Sequence, residues 1–264
     1  MIITTRRLGR SNLQVSALGL GCWAIGGAMA AGDQQLGYAG VDDDLAVQAL
    51  HASRRRLGRD RIDLYQLHTP EIDDDRAAEL VDTLEGLATE GLIGWYGIST
   101  DDPTRADIFA AGPRCTAVQL QLNVLDDNPD MLAVCDRHDL AALCRSPLAM
   151  GLLGGQYTAT SQLPTDDIRH RQPNWLRWFT DGRPTPDFLH RLEAIRHILT
   201  SGGRTPGQGA LGWIWAHHPR TIPLPGFRNP VQVTENAAAL NYGPLSGSEH
   251  DDIETILGRL PAYG

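Results

Sequence analysis

The most informative absence in this sequence is lysine, because all 23 basic residues among its 264 are arginine. A chain without lysine has no Schiff-base lysine and no P-loop lysine for phosphate. It also has no lysine that tunes the pKa of a catalytic tyrosine. Chemistry that depends on any of these groups is therefore excluded for this chain.

Cysteine and long apolar runs are also scarce. Cys22, Cys115, Cys135 and Cys144 are widely spaced without a C-x-x-C motif, which indicates reduced thiols and neither a zinc site nor a disulfide framework. No run approaches the roughly 18 apolar residues of a membrane span, and the first residues lack a hydrophobic signal core. We expect a cytoplasmic protein with no membrane partner. The histidines also lack carboxylate or cysteine partners at ligand spacing, so we expect no metal site.

The charge balance is acidic, with a formal net charge of −9 and one short basic run at Arg54–Arg56. This balance disfavours binding to a phosphate backbone, so we expect no nucleic-acid partner. The length and the 42% hydrophobic content suit one globular domain. No linker or internal repeat divides residues 1–264, which are therefore predicted to form a single domain.

Short apolar runs alternate with amphipathic segments of helical length, which predicts a parallel sheet covered by helices. The predicted strands are Leu18–Gly21, Ile62–Leu67, Ile93–Ser99, Ala117–Leu122, Leu140–Cys144 and Thr221–Leu224. The predicted helices, with apolar residues three and four apart, are Arg76–Glu90, Met131–Arg137, Phe188–Leu199, Gln208–Ala216 and Val231–Leu240. A hairpin is predicted ahead of the first strand, over Thr4–Val15.

Two features of this pattern carry candidate chemistry. His68 directly follows a predicted strand, where barrel enzymes place their working side chains, and a histidine there can hold or protonate a carbonyl oxygen. Pro225–Arg228 follows the last predicted strand and precedes a helix, so amides and a guanidinium converge there as in a phosphate site. A structural histidine and an ordinary turn remain open as alternatives.

The segment Gly155–Thr185 is long and polar and contains Trp175, Trp178 and Phe179. It predicts either a substrate-covering loop or a surface loop that docks its aromatic residues for its own stability.

Taken in order, the motifs resemble the aldo-keto reductases, in particular the bacterial branch that is similar to potassium-channel β subunits. The segments that carry the resemblance are Leu8–Ser11, Gly19–Trp23, Leu57–His68, Gly97–Ser99, Val118–Gln119, Ser146–Leu153 and Pro225–Arg228. The resemblance implies an α/β barrel of the eight-stranded type that binds NADP(H) and transfers hydride to an aldehyde or ketone.

Carried over residue by residue, the resemblance implies one catalytic residue, His68. It implies cofactor contacts at Gly21, Trp23, Ser99, Gln119, Arg145, Ser146, Leu148, Gly151, Gly226, Phe227, Arg228, Gln232, Glu235 and Asn236. At Arg145 many relatives have an aromatic residue that stacks on nicotinamide, and arginine can stack there too.

The chain departs from the family near residues 50–55, where the second and third strands, with the family's catalytic Asp, Tyr and Lys, are absent. We therefore expect an incomplete (β/α)8 barrel of about six strands with an N-terminal hairpin. An open sheet edge invites pairing with a second copy of the chain. A rearranged core, or a segment missing from the recorded sequence, remains open as well.

Three functions are compatible with these residues. The first is an NADP(H)-binding oxidoreductase that acts on a carbonyl substrate, with activity impaired by the missing Asp, Tyr and Lys. The second is a non-redox lyase, isomerase or cyclase that uses His68 as acid or base. The third is a protein that binds NADP(H), or serves as a scaffold, without turnover.

Overall fold

The computed structural model of the chain describes residues 4–23, 43–68, 72–171 and 175–259. A parallel sheet of five strands forms its centre, and helices cover the sheet. Its neighbouring strands, in order, are Ile62–Leu67, Ile93–Ser99, Cys115–Gln121, Ala141–Arg145 and Thr221–Pro223. The strands are β1 (Thr5–Arg7), β2 (Gln14–Ser16), β3 (Ile62–Leu67), β4 (Ile93–Ser99), β5 (Cys115–Gln121), β6 (Ala141–Arg145), β7 (Phe179–Thr180), β8 (Arg183–Pro184) and β9 (Thr221–Pro223). The predicted α/β class is confirmed.

The helices occupy the segments between these strands. They are α1 (Asp43–Leu57), α2 (Asp74–Thr89), α3 (Pro103–Ala110), α4 (Pro129–Arg137), α5 (Ile168–Arg171), α6 (Pro186–Leu199), α7 (Pro206–His217), α8 (Pro230–Ala238) and α9 (Gly247–Ile256). Four of the predicted helices begin one or two residues earlier than expected, because proline occupies their first position and its fixed φ suits a helix start. Among the described residues, no helix is long and apolar enough to cross a membrane.

The predicted strand Leu18–Gly21 is not a regular strand, although it lies beside β9. The backbone N–H of Gly19 donates to the carbonyl of Pro223 (3.0 Å), and that of Gly21 donates to Pro225 (2.9 Å). Pro223 and Pro225 have no N–H to donate in return, so the ladder is reduced to one bridge between Gly21 and Gly226.

The described sheet has two edges, and the resemblance implies that the missing strands would lie between them. One edge is β3, and the other is the Leu18–Gly21 segment beside β9. The resemblance also implies the start of one helix and the end of another over residues 42–58. In the structure, residues 43–57 form the single continuous helix α1.

The N-terminal hairpin closes the amino end of the sheet. Leu8 packs against inward-facing side chains of β5, β6 and β9, namely Ala117, Ala141, Leu143 and Ile222. Arg10 at the hairpin tip donates hydrogen bonds to the carbonyls of Ala110 and His138, near the ends of α3 and α4. The predicted hairpin is confirmed, and it covers the amino end of the inner face of the sheet.

Candidate functional site

On the inner face of the sheet, the side chains near the amino end are apolar and those near the carboxyl end are polar. Residues two apart in a strand share a face, so the inner layer that starts at Leu64 and Ala117 continues toward the carboxyl end. The inner-face residues there are Gln66, His68, Ser99, Gln119, Gln121 and Arg145. Ser99 is registered against Gln119, and Gln121 against Arg145, so strand pairing brings these predicted positions together.

His68 lies immediately after β3 and is partly exposed. Partial burial lowers the pKa of His68 from its ordinary value of 6.5, and the positive charge of Arg145 lowers it further. The imidazole is therefore neutral at pH 7. A neutral imidazole still donates one N–H, which suits a carbonyl oxygen.

Arg145 was expected to stack on nicotinamide. In the structure, hydrogen-bond acceptors hold its guanidinium instead. It forms an ion pair with Asp101 and donates a hydrogen bond to Gln121 Oε1 (3.0 Å). The amide of Gln121 in turn donates to Asp126 (2.6 Å), which also pairs with Arg177. These contacts form a chain of alternating charge across the ends of β4, β5 and β6.

Gln66 is a further inner-face residue that the motifs did not single out. Its Oε1 atom is buried and has no hydrogen-bond partner among the described residues. Leaving a buried amide oxygen unpaired costs about 1–3 kcal/mol, and such an atom marks a place for a ligand donor or water. Counting back two residues from His68 along the strand would have identified it.

The turn after β6 contains unusual backbone conformations. Ser146, Ala149 and Met150 have positive φ angles of 52°, 47° and 54°, although none is glycine. Asn123 supports the turn by donating to the carbonyl of Ser146 (3.1 Å). Strained backbone of this kind clusters at binding sites. The predicted contacts Leu148, half-buried, and Gly151, with φ of 94°, lie in this same turn.

The turn before α8 is shaped by side chains that the sequence assigned to the cofactor. Gln232 Oε1 accepts a hydrogen bond from the N–H of Arg228 (2.7 Å), and the Asn236 side chain donates to the carbonyl of Gly226 (3.3 Å). Asn229 caps the helix by accepting from the N–H of Gln232 (3.0 Å). Gln232 and Asn236 therefore hold the turn, while Gly226 and Arg228 are the exposed residues.

Two other predicted contacts flank this turn. Phe227 is half-buried between Gly226 and Arg228. The carbonyl of Glu235 accepts a hydrogen bond from Gln208 of α7 (3.1 Å), which fixes α8 against α7.

A carboxylate that the motifs missed lies beside Arg228. Asp167 is 3.6 Å from the guanidinium of Arg228 and is held by hydrogen bonds from Arg169. Those bonds lower the pKa of Asp167 to about 2, so its negative charge persists at neutral pH. Arg169 also donates to the carbonyl of Met150 (3.1 Å) and the hydroxyl of Tyr157 (2.6 Å). The hydrogen bond to Met150 thereby attaches the loop Gly155–Thr185 to the turn that contains Ser146, Ala149 and Met150.

The aromatic loop divides between the core and the surface. Trp178 and Phe179 are fully buried, so for these two residues the packing interpretation is correct. Trp175 is exposed and meets Trp23 edge to face, with ring centroids 6.1 Å apart. Trp23, expected at the cofactor, thus contacts the loop across the end of the Leu18–Gly21 segment.

The hydroxyls of the described tyrosines all have other partners. Tyr65, Tyr96 and Tyr242 donate to Ala46, Glu85 and Gly203, and Tyr157 accepts from Arg169. Tyr38 and Tyr263 lie outside the described residues. Within the described ranges, His68 is therefore the group best placed for proton transfer.

Comparisons with known proteins agree with this architecture. A model of the aldo/keto reductase family matches residues 18–257. The solved structure of a glycerol dehydrogenase from Gluconobacter oxydans superimposes with a TM-score of 0.80 at 22% identity, covering 100% of this chain and 98% of that one. At this identity the likeness shows a shared fold.

Curated relatives match a large part of the chain. An uncharacterized oxidoreductase of Bacillus subtilis, YqkF, is 34% identical over 205 residues, or 76% of this chain. The Schizosaccharomyces pombe aldo-keto reductase yakc, with NADP(+) in its name, is 27% identical over 212 residues, or 75% of this chain. The chain spans 62% and 58% of the lengths of these two relatives.

Proposed function

Because the chain belongs to the aldo/keto reductase family, we propose that it is an NADP(H)-binding oxidoreductase that acts slowly on an aldehyde or ketone. The observation that carries this proposal is that His68 and the Gly226–Arg228 turn follow parallel strands of one sheet. Carboxyl ends of parallel strands lie at the same edge, so an acid group and an anion-binding turn face one cleft.

The residues present fit such a cofactor. Arg228 has a side chain 51% exposed at the amino end of α8, where a guanidinium and the positive end of the helix dipole favour a phosphate. Gly226 is exposed, and a Cβ placed there would come no nearer than 3.8 Å to Gly21 O, so a ligand can approach its backbone closely. The unpaired buried oxygen of Gln66 supplies an acceptor deeper in the cleft.

When bound, the dinucleotide would supply the hydride, and the proton would come from the small imidazolium fraction of His68 or from water. His68 donates its N–H to the substrate oxygen and holds the carbonyl in place. The family's Tyr, Lys and Asp are absent, and a positioned general acid is typically worth about 10²- to 10⁴-fold in rate. We therefore expect turnover to be slower than in complete relatives by at least this factor.

A second candidate function is cofactor binding without turnover. The lysine-free sequence and the engaged hydroxyls of the described tyrosines favour it. The two candidates share the cofactor site and differ in whether His68 alone sustains proton transfer.

We also propose that a second copy of the chain covers the β3 edge. Residues 62–66 of this strand are half-buried or exposed, whereas β4 and β5 in the middle of the sheet are largely buried. Unpaired edge groups favour pairing with another chain. Sedimentation of the purified protein should give a dimer, and a monomer at micromolar concentration would rule this out.

Titration with NADPH tests the proposed function directly. Trp23 and Trp175 are exposed near the cleft, so binding should transfer tryptophan excitation to the reduced nicotinamide with a saturable signal. Saturation followed by slow carbonyl reduction supports the oxidoreductase. Saturation with no turnover supports the second candidate, and no saturable signal overturns both.

A further inference from the structure

A second cluster of titratable groups lies between α7, α9 and the segment before α4. Nδ1 of His217 is 3.0 Å from Nε2 of His250, and a carboxylate oxygen of Glu254 lies within 4.8 Å of the ligand nitrogens of both histidines. The side chains of His217 and Glu254 are only 5% and 3% exposed. These groups belong neither to the cleft nor to any motif in the sequence.

The outer nitrogens of the two imidazoles face carboxylates. Nε2 of His217 is 2.9 Å from Asp127 Oδ1, and Nδ1 of His250 is 3.5 Å from Asp251 Oδ1. A neutral histidine has one N–H, and a carboxylate attracts it to the outer nitrogen. In that tautomer the inner nitrogens of both rings carry lone pairs. Two lone pairs that face each other at 3.0 Å repel, and a cation shared between them relieves that repulsion.

The surroundings hold the ligands in place. The indole of Trp213 stacks on His217 with ring centroids 4.2 Å apart, and its N–H donates to Glu254 Oε1 (3.0 Å). Arg259 donates to the same oxygen (2.7 Å). Both donors bind Oε1, so the carboxylate is held in one orientation.

We propose that His217, His250 and Glu254 bind one divalent transition-metal ion of the zinc class. Two imidazoles and a carboxylate are ligands that such ions prefer. Tetrahedral zinc with Zn–N bonds of about 2.0–2.1 Å separates two ligand nitrogens by about 3.3 Å, so the rings need to part by only a few tenths of an ångström. Asp127 then completes a carboxylate–histidine–metal arrangement, in which it orients His217 and raises its basicity.

The sequence did not predict this site because its members are far apart along the chain. His217 and His250 are separated by 33 residues, and His217 and Asp127 by 90. His250 and Glu254 are four residues apart on α9, but this pair without its distant third ligand does not form a recognisable metal-site motif.

Cobalt(II) titration of the chelator-treated protein tests the proposal without reference to NADP(H). We expect saturable visible absorption bands at one ion per chain, displaced by zinc. His217→Ala and His250→Ala should abolish the bands. Asp127→Ala should weaken binding by about 10- to 100-fold, as the loss of an outer carboxylate does elsewhere. His190→Ala, at an exposed histidine of α6, should change nothing.

The conservative variant His250→Gln keeps the proposal testable if the alanine variants do not fold. Zinc should raise the Tm of the wild-type chain and leave that of His250→Gln unchanged. The proposal is overturned if the wild type shows no saturable cobalt bands, or if the bands survive in both histidine variants. Zinc stabilisation that persists in His250→Gln would overturn it too.

Discussion

The Asp167 carboxylate lies 3.6 Å from the Arg228 guanidinium, while two nitrogens of Arg169 donate hydrogen bonds to it. The arginine proposed to bind a phosphate therefore already has an anionic neighbour. A phosphate that reaches Arg228 has to share it with this carboxylate, whose charge persists because its pKa is lowered to about 2.

Asp167→Asn should tighten NADPH binding by about three- to tenfold and leave NADH nearly unchanged. Removing one negative charge near the 2′-phosphate relieves repulsion that NADH does not experience. The ratio of the two dissociation constants is the measurement, since any loosening of the loop affects both cofactors alike. Asp166→Asn, an equal charge change at the exposed neighbour, is the control. If both cofactors bind and the ratio is unchanged, the proposed repulsion by Asp167 is contradicted, whereas the proposed cofactor site is not.

Arg228→Ala should weaken NADPH binding by about 10- to 100-fold and NADH much less, because a charge-assisted contact to phosphate is worth about 1–3 kcal/mol. Parallel titrations of the two cofactors measure this. Arg191→Ala on α6 removes an equal charge elsewhere and should have no effect. Equal losses for both cofactors would show that Arg228 does not contact the 2′-phosphate.

His68→Ala should abolish carbonyl turnover while NADPH still binds. The imidazole is the group proposed to hold the carbonyl oxygen, whereas the phosphate contacts follow β9, at the opposite end of the strand order from β3. Steady-state turnover and fluorescence titration on the same preparation separate the two effects, with His190→Ala as the matched control. Turnover that survives in His68→Ala would move the proton transfer to another group.

Arg145→Gln should raise the pKa of His68. Arg145 disfavours the imidazolium by its positive charge, and its loss also leaves the Asp101 carboxylate without its ion pair. A proton NMR titration of the His68 ring measures the shift, and the exposed His190 ring is the internal reference. A lower or unchanged pKa would show that burial alone sets the value.

Gly21→Ala should lower the free energy of unfolding by about 1–3 kcal/mol, because a Cβ there would lie 2.6 Å from Leu224 O and 2.9 Å from Gly226 N. The change would push the first segment away from β9. Gly86→Ala is the contrast, since no atom lies within 4 Å of its added Cβ and alanine favours helix α2 by about 0.5–1 kcal/mol. Urea unfolding of both variants should therefore give opposite signs.

The sequence predicted the repeating part of the fold well and its long-range contacts poorly. Ile93–Ser99 has the bounds expected from its apolar run, because burial on both faces dictates such a run. Ile62–Leu67 also has the expected bounds, although it is half-buried at the edge of the sheet. Leu18–Gly21 failed as a strand because its pairing depends on the prolines of a segment about 200 residues later. Local periodicity contains no information about a partner so distant.

The candidate site shows the same division. The sequence singles out His68 and Arg228 as candidates because strand ends and helix starts can be predicted from local patterns. The Asp101 partner of Arg145 and the Asp167 partner of Arg228 depend on strand register and on the path of a long loop. Strand register does predict that Ser99 faces Gln119, once the order of the strands is known.

The single helix α1 has a topological consequence. A chain that leaves a parallel strand must return to the amino end before it can form the next strand. Fifteen helical residues span about 22 Å, which is close to the roughly 20 Å of a six-residue strand. One helix of the length of α1 is therefore long enough to return the chain from the carboxyl end to the amino end of the sheet. Loss of complete strand–helix repeats therefore preserves the polarity of every remaining strand, whereas loss of a strand without its helix would reverse it. The repeat is the unit in which such a fold can be shortened.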